Sequence, residues 1–196
     1  MSTLVGKKAP DFKAKAALAQ QFEDIELSQY RGHYVLLFFY PLDFTFVCPT
    51  ELLAFQDKLP EFKKLNTVLL GCSIDSHFTH RAWLNTPLDQ GGIQGVQYKL
   101  ISDIGGKIAD AYGVLNSEGI AYRGWFLINK EGMVCHMLVN DLPLGRNVDD
   151  ALRMIEALQH FEHEGETCPA NWSKGLSGLK PTHEAVSKYL EQKYRT

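Results

Sequence analysis

The chain has 196 residues, 45% of them hydrophobic and 22% charged, with a formal net charge of −3 at pH 7. That length suits one large domain, or one domain with an extension, around a core that needs no covalent staples, and the composition excludes a mostly disordered protein. A near-neutral balance without a basic block or an acidic tail gives no sign of nucleic acid or an anionic membrane as the main partner.

Near the N-terminus Lys7, Lys8, Asp11, Lys13 and Lys15 interrupt any apolar stretch, so no signal peptide is expected. The longest apolar run elsewhere, Tyr34 to Tyr40, is far too short to span a bilayer, and a cytoplasmic protein is expected. That run is β-prone throughout, which suits a strand buried on both faces, and Pro41 ends it. Leu52, Leu53, Phe55 and Leu59 among polar residues predict a helix over 50–59. A second buried strand is expected over 67–74 and a helix over 77–85. The Gly91–Gly95 loop lacks the Gly-Lys-Ser/Thr of a phosphate loop. A short strand at 98–101 and a short helix at 106–112 follow.

Two apolar runs, 124–128 and 133–139, flank Asn129-Lys-Glu-Gly132 and predict a β-hairpin. Val148, Ala151, Leu152, Ile155 and Leu158 stand at helical spacing, with Asn147 as N-cap and Asp149 and Asp150 in the positive first turn. After His163 periodicity fades until an amphipathic helix over 182–194. The expected organisation is an α/β domain over 1–163, with helices on both faces of a central sheet, then a C-terminal arm over 164–196.

The four cysteines, Cys48, Cys72, Cys135 and Cys168, are too few for a secreted disulfide scaffold, and none forms a Cys-x-x-Cys pair. Cys72 and Cys135 lie in apolar strand patterns and read as small core hydrophobes. His77 and His80, and His160 and His163, are each three apart, but no carboxylate or cysteine pattern accompanies them, so no metal site is expected.

Cys48 stands apart. It sits between a buried strand and a helix, in or beside the helix's first turn, where unpaired N–H groups and the positive dipole end favour an anion. Pro49 suits such a position because its missing N–H costs nothing there. A thiol so placed is expected to ionise below its ordinary pKa of about 8.5. A reaction at such a thiol also needs groups that align the attacked bond with sulfur and stabilise the departing atom. The Thr45 hydroxyl can both accept from and donate to a bound substrate. Pro41 can wall the site off from water, and Arg123 is the candidate cation.

Pro41-x-x-x-Thr45-x-x-Cys48 resembles the active-site motif of the peroxiredoxins, in particular the typical two-cysteine subgroup. Further matches are Gly6-Lys-Lys-Ala-Pro-Asp-Phe12, Asp75-Ser-His-Phe78, Arg123-Gly-Trp-Phe126, Asn140-Asp-Leu-Pro143, Gly145-Arg146 and Gly165-Glu-Thr-Cys-Pro-Ala170. The resemblance covers nearly the whole length. It implies a thioredoxin-like fold with an N-terminal addition, and a peroxidatic Cys48 that is oxidised to sulfenic acid. It places Pro41, Thr45 and Arg123 at the other active-site positions, and Glu51 and Arg146 where they orient Arg123. It makes Cys168 the resolving thiol, which forms a disulfide with Cys48 of a second subunit. It therefore implies a homodimer, commonly assembled into a ring of five dimers. The substrate would be hydrogen peroxide or a small alkyl hydroperoxide, and thioredoxin or a dedicated flavoprotein reductase would supply electrons. No bound cofactor is implied.

The chain departs from its over-oxidation-prone relatives in two places. Their Gly-Gly-Leu-Gly loop reads Gly91-Gly92-Ile93-Gln94 here, and their terminal Tyr-Phe reads Tyr189-Leu190. Looser packing of these elements would let Cys168 capture the sulfenic acid faster, and intermediate resistance to over-oxidation is expected. A peroxide sensor or relay and a ring-shaped holdase chaperone are the competing functions. A thiol-disulfide oxidoreductase would carry its two cysteines within one turn.

Overall fold

The computed structural model describes residues 3–195. The chain divides into two compact units, one running to Val148 and the other starting at Asp149.

The first unit is built on seven strands: β1 (Lys13–Leu18), β2 (Gln21–Glu26), β3 (Tyr34–Phe39), β4 (Thr67–Ser73), β5 (Lys99–Ser102), β6 (Arg123–Ile128) and β7 (Val134–Asn140), in the spatial order β2-β1-β5-β4-β3-β6-β7. β3, β4 and β5 are parallel; β6 pairs antiparallel with β3, and β7 antiparallel with β6. Every residue of β3 is buried, as its unbroken apolar run requires. Phe38 stacks on Phe55 of α1 (Cys48–Asp57) at 4.3 Å, and Phe39 on the opposite face meets Tyr112 and Phe126 at 5.4 and 5.8 Å. The sheet is thus covered on both faces within this unit, Tyr112 being the residue that ends α4 (Lys107–Ala111). The hairpin expected around residues 129–132 joins β6 to β7. Gly132 takes φ +80, a left-handed conformation that side chains rarely adopt and that favours glycine.

Several elements differ from the sequence reading. β1 and β2 form an antiparallel hairpin absent from the sequence reading, since the alternation in β1, Lys-Ala-Lys-Ala-Ala-Leu, rests on alanine and lysine, both poor strand formers. Its strand state comes from distant partners: Ala16 and Ala17 pair with Ile101 and Leu100 of β5. Helix α1 begins at Cys48, two residues earlier than expected. A separate helix, α2 (Leu59–Lys64), follows it, with Pro60 admitted in its first turn, and packs on β4. α3 (His77–Asn85) lies where expected, capped by Ser76, whose hydroxyl accepts from Thr79 N at 3.1 Å. Cys72 is fully buried, but Cys135 is only half-buried because β7 is the outer strand of the sheet.

The second unit holds most of α5 (Val148–Glu164) and α6 (His183–Tyr194). Val148, Ala151, Leu152 and Ile155 of α5 are buried, as the helical spacing implies, whereas Leu158 is only half-buried and Ala157 is buried in its place. Between the helices, Thr167 and Leu179 form an isolated antiparallel bridge, and Trp172 is buried. The Thr182 hydroxyl caps α6 by accepting from Ala185 N at 3.2 Å, and α6 itself buries no residue. Among the described residues no helix is long and apolar enough to cross a membrane, and no cluster of three or more His, Cys, Asp or Glu could hold a metal ion.

Candidate active site

The end of β3 and the start of α1 bracket an eight-residue loop, 40–47, that carries the site. Tyr40 still pairs with β4, its N–H donating to Cys72 O at 3.0 Å. Pro41 is buried at the first turn out of the strand. Phe44 takes φ +53, a left-handed conformation unusual for a bulky residue, and Phe46 stands 93% exposed. The loop then closes into α1 with Cys48 and Pro49 as its first two residues. No side chain caps this terminus, so backbone N–H groups and the positive helix end are presented beside a thiol that is 0% exposed.

Arg123, the first residue of β6, reaches this thiol across the sheet. Its Nη1 donates to Cys48 Sγ at 3.4 Å and to Glu51 Oε2 at 2.7 Å, while its Nε donates to Leu142 O at 2.6 Å. Glu51 lies one turn after Cys48 on α1, so helical spacing puts carboxylate and sulfur on one side. Arg146 holds the other side of the carboxylate: Nε donates to Oε1 at 2.7 Å, Nη2 to Oε2 at 3.0 Å, and the backbone N–H to Oε1 at 2.9 Å. The Arg146 guanidinium also donates to Gly124 O at 2.6 Å and lies over the rings of Phe38 and Phe55, at 5.3 and 5.8 Å. Burial works against an ionised Glu51, but the charge and hydrogen bonds of Arg146, joined by Arg123, outweigh it and hold the carboxyl below its usual range. The arrangement is a fixed cation beside a buried sulfur, restrained on three sides.

The sequence-derived set is therefore only partly joined by direct bonds. Cys48, Arg123, Glu51 and Arg146 form one connected cluster. Thr45 and Pro41 lie in the preceding loop, and Thr45 is not part of the helix. Its hydroxyl hydrogen is committed to Leu42 O at 3.0 Å, which leaves its oxygen as an oriented acceptor. Cys168 belongs to the second unit, where its Sγ donates to Ala157 O at 3.4 Å and burial raises its thiol pKa.

The structure adds a group that the sequence pattern did not disclose. Asp43, inside the loop, accepts from the Tyr40 hydroxyl at 2.8 Å and faces His80 Nδ1 at 2.8 Å, and the backbone N–H of Asp43 donates to Asp75 Oδ2 at 2.9 Å. His80 Nε2 meets Ile101 O at 3.1 Å, and the side chains of His80 and Asp43 are both fully buried. Burial, opposed by His80, raises the Asp43 carboxyl, and burial keeps the Tyr40 phenol far above its usual range, so it remains a donor. His80 is thus occupied as an anchor of the loop, and the ring of His77 packs on Phe22 at 4.7 Å. Asp43 and His80 are 37 residues apart, and no local motif links them.

A thioredoxin-like sheet that presents one buried thiol at a helix start, beside a tethered arginine, defines a thiol-dependent oxidoreductase. Residues 5–137 match the AhpC/TSA family, and residues 157–192 match the C-terminal domain of 1-Cys peroxiredoxin. Peroxiredoxin-1 of Gallus gallus is 50% identical over 190 residues, and Peroxiredoxin-2 of Mus musculus 50% over 189, each match covering 96% of both chains. The reduced 2-Cys peroxiredoxin of Plasmodium vivax has the same fold, with a TM-score of 0.95 at 49% identity, covering 97% of this chain and 100% of that one. The chain belongs to the AhpC/TSA family of peroxiredoxins, enzymes that reduce peroxides at a thiol.

Proposed function

We propose that Cys48 is the thiol at which this peroxiredoxin reduces hydrogen peroxide and small alkyl hydroperoxides, and that Cys168 of a second copy resolves it. The observation that carries this reading is the 3.4 Å contact from Arg123 Nη1 to the buried Cys48 Sγ. Sulfur attacks the near peroxide oxygen, the O–O bond breaks, and the departing oxygen leaves as water or an alcohol after taking up a proton. Cys48 becomes a sulfenic acid. Arg123 lies where it can stabilise charge on the two oxygens, and the oriented Thr45 oxygen can accept the peroxide's O–H hydrogen bond. Pro41 limits water at the loop. Glu51 and Arg146 hold the guanidinium in place.

A sulfur that is 0% exposed does not meet a second protein thiol unless the first turn of α1 opens. Cys168 then attacks the sulfenic sulfur, water leaves, and an intersubunit disulfide forms. Thioredoxin or a dedicated flavoprotein reductase returns two electrons by thiol exchange. The catalytic unit is taken as 1–163 and the working arm as 164–196, since α5 ends at Glu164 and Cys168 follows in a non-helical stretch. The exposed Phe44, Phe46, Phe78 and Ile104 support self-association, for which a homodimer assembling into a decamer is the proposed form.

Stopped-flow mixing of the reduced protein with hydrogen peroxide tests the reading. The buried Trp83, whose ring is 5.8 Å from Phe44 of the site loop, is a fluorescence reporter of that loop. A rate orders of magnitude above that of free cysteine is expected, absent in Cys48→Ser. Cys168→Ser should keep the first oxidation and lose the disulfide-linked dimer on a non-reducing gel. A rate no better than free cysteine would overturn the reading.

A further inference from the structure

The second unit contains a buried polar atom that the peroxidase chemistry does not use. His160 lies one turn before the end of α5, and its Nε2 is buried with no hydrogen-bond partner. Glu166 Oε2 stands 3.7 Å from it, just outside hydrogen-bond reach. The ring packs against Trp172, centroid to centroid at 5.0 Å. From a third side comes Gly178, where a Cβ would lie 2.4 Å from His160 Nε2 and 2.6 Å from Glu166 Oε2. Three arm segments therefore converge on one imidazole.

The segment that Glu166 opens leads directly to Cys168. Thr167, between them, exchanges backbone hydrogen bonds with Leu179 at 2.9 and 2.8 Å. Cys168 Sγ then donates to Ala157 O at 3.4 Å, a carbonyl one helical turn before His160. Of three consecutive residues, Glu166 faces α5 without a hydrogen bond, Thr167 is bonded within the arm, and Cys168 is bonded to α5. The thiol must leave the Ala157 carbonyl before it can attack another sulfur.

We propose that His160 and Glu166 are positioning residues for Cys168, a clasp that holds the thiol-bearing segment on α5 when the imidazole is charged and slackens when it is neutral. Cationic imidazole makes both ring nitrogens donors, and a closure of under one ångström would join Nε2 to the Glu166 carboxylate in a charge-assisted bond. The C-terminal end of α5 favours the same charge. Histidine is the side chain that ordinarily changes charge between about pH 5 and 8. Other charged groups of the unit are engaged or exposed. Glu156, one turn earlier on α5, binds Lys174 at 3.2 Å, and Arg153 reaches Asp150 at 3.9 Å and Trp172 O at 3.4 Å. His163 and Glu164 at the helix end are exposed, as is Lys180 beyond the bridge. The sign follows: gaining a proton tightens the clasp, so Cys168 is held at acid pH and released as pH rises.

The role in catalysis rests on Cys168 being the resolving thiol, and the test separates the two ideas. In Cys48→Ser protein, iodoacetamide labelling of Cys168 is followed by peptide mass spectrometry, so that Cys72 and Cys135 are counted apart. Each variant is compared with the wild-type background at the same pH, which cancels the thiol's own titration. His160→Phe, which keeps a ring for Trp172, and Glu166→Gln should each speed labelling about fivefold near pH 6 and about onefold near pH 8. His163→Gln should do neither. An unchanged rate, or one raised equally at both pH values, would overturn the clasp. In protein retaining Cys48, the disulfide-forming phase should slow on acidification less in His160→Phe than in wild type. Labelling that follows the charge with a disulfide phase that does not would overturn the positioning role and the reading of Cys168, while the clasp itself would stand.

Discussion

Arg146 grips Glu51 by both carboxylate oxygens, Nε to Oε1 at 2.7 Å and Nη2 to Oε2 at 3.0 Å, with 0% of one side chain and 2% of the other exposed. Arg123 leans on the same carboxylate, so the position of the guanidinium beside Cys48 is set by a residue that does not itself touch the sulfur. Glu51→Gln keeps the shape, removes the charge and leaves two buried arginines uncompensated. Removing one partner of a buried ion pair costs about 3–5 kcal/mol, and loss of an orienting neighbour about 10–100-fold in activity. The expected result is a lower unfolding midpoint in urea together with a peroxide rate constant lower by roughly that factor. Arg146→Lys should fall short of wild type as well, because an ammonium cannot make the two-pronged contact.

The same carboxylate gives the site its acid limit. Glu51 is held below its usual range, so its ionisation stabilises the fold above the unfolded-state pKa of about 4.3, and that contribution is lost as pH falls through the lower folded value. The difference in unfolding free energy between wild type and Glu51→Gln should be constant above about pH 5 and shrink below about pH 4. A difference that grew toward acid pH would mean the carboxyl is not held ionised by the two arginines.

Tyr40, Asp43 and His80 fix the loop from the other side. The Tyr40 hydroxyl donates to Asp43 Oδ1 at 2.8 Å and lies 3.4 Å from His80 Nδ1, so Tyr40→Phe should cost about 1 kcal/mol in chemical unfolding. His80→Ala removes an imidazole bonded at both nitrogens and leaves the buried Asp43 without that partner, and about 1–3 kcal/mol is expected. Both variants should slow peroxide reduction, since the loop also presents Pro41 and Thr45. A His80→Ala protein of undiminished stability would show that the buried pair anchors nothing.

What could be read in the chain was what is local. Tyr34–Phe39 is apolar without interruption and could only be a doubly covered strand. The turn at Asn129–Gly132 lies between two apolar runs, and Thr182 stands one residue before a periodic helix. Cys48 was legible because strand, proline and helix follow one another within a few residues. What was not legible depends on long-range partners. Lysine and alanine give β1 only a weak alternation, which becomes a strand when β5 lies beside it. Nothing near Asp43 announces His80, and Cys135 lies in an apolar run whose place at the sheet edge only the strand order reveals. The clasp at His160 has the same origin, since an imidazole on a helix reads as surface until the chain returns over it.

The two elements that differ from over-oxidation-prone relatives are unequally held. The loop is rigid: Trp83 Nε1 donates to Gly91 O at 2.9 Å, Ile93 is fully buried, and a Cβ on Gly92 would lie 1.9 Å from Thr86 O. The terminal helix is not, since α6 buries no residue and Leu190 is 48% exposed. A helix of this length owes little to its own propensity, so its hold depends on side-chain packing, and an exposed leucine supplies little. If such packing opposes the opening that frees Cys48, weak packing shortens the life of the sulfenic acid before Cys168 captures it. A second peroxide then has less time to drive it to the sulfinic state. The wild-type protein, cycled with a thiol reductant and excess peroxide, should lose activity over many turnovers rather than a few, with sulfinic Cys48 accumulating in step by mass spectrometry. Leu190→Phe, which restores the aromatic of the sensitive relatives, should shorten that lifetime several-fold without changing the first peroxide reaction. Equal lifetimes for the two proteins would place the control of over-oxidation elsewhere, in the rigid loop or in the release of Cys168 itself.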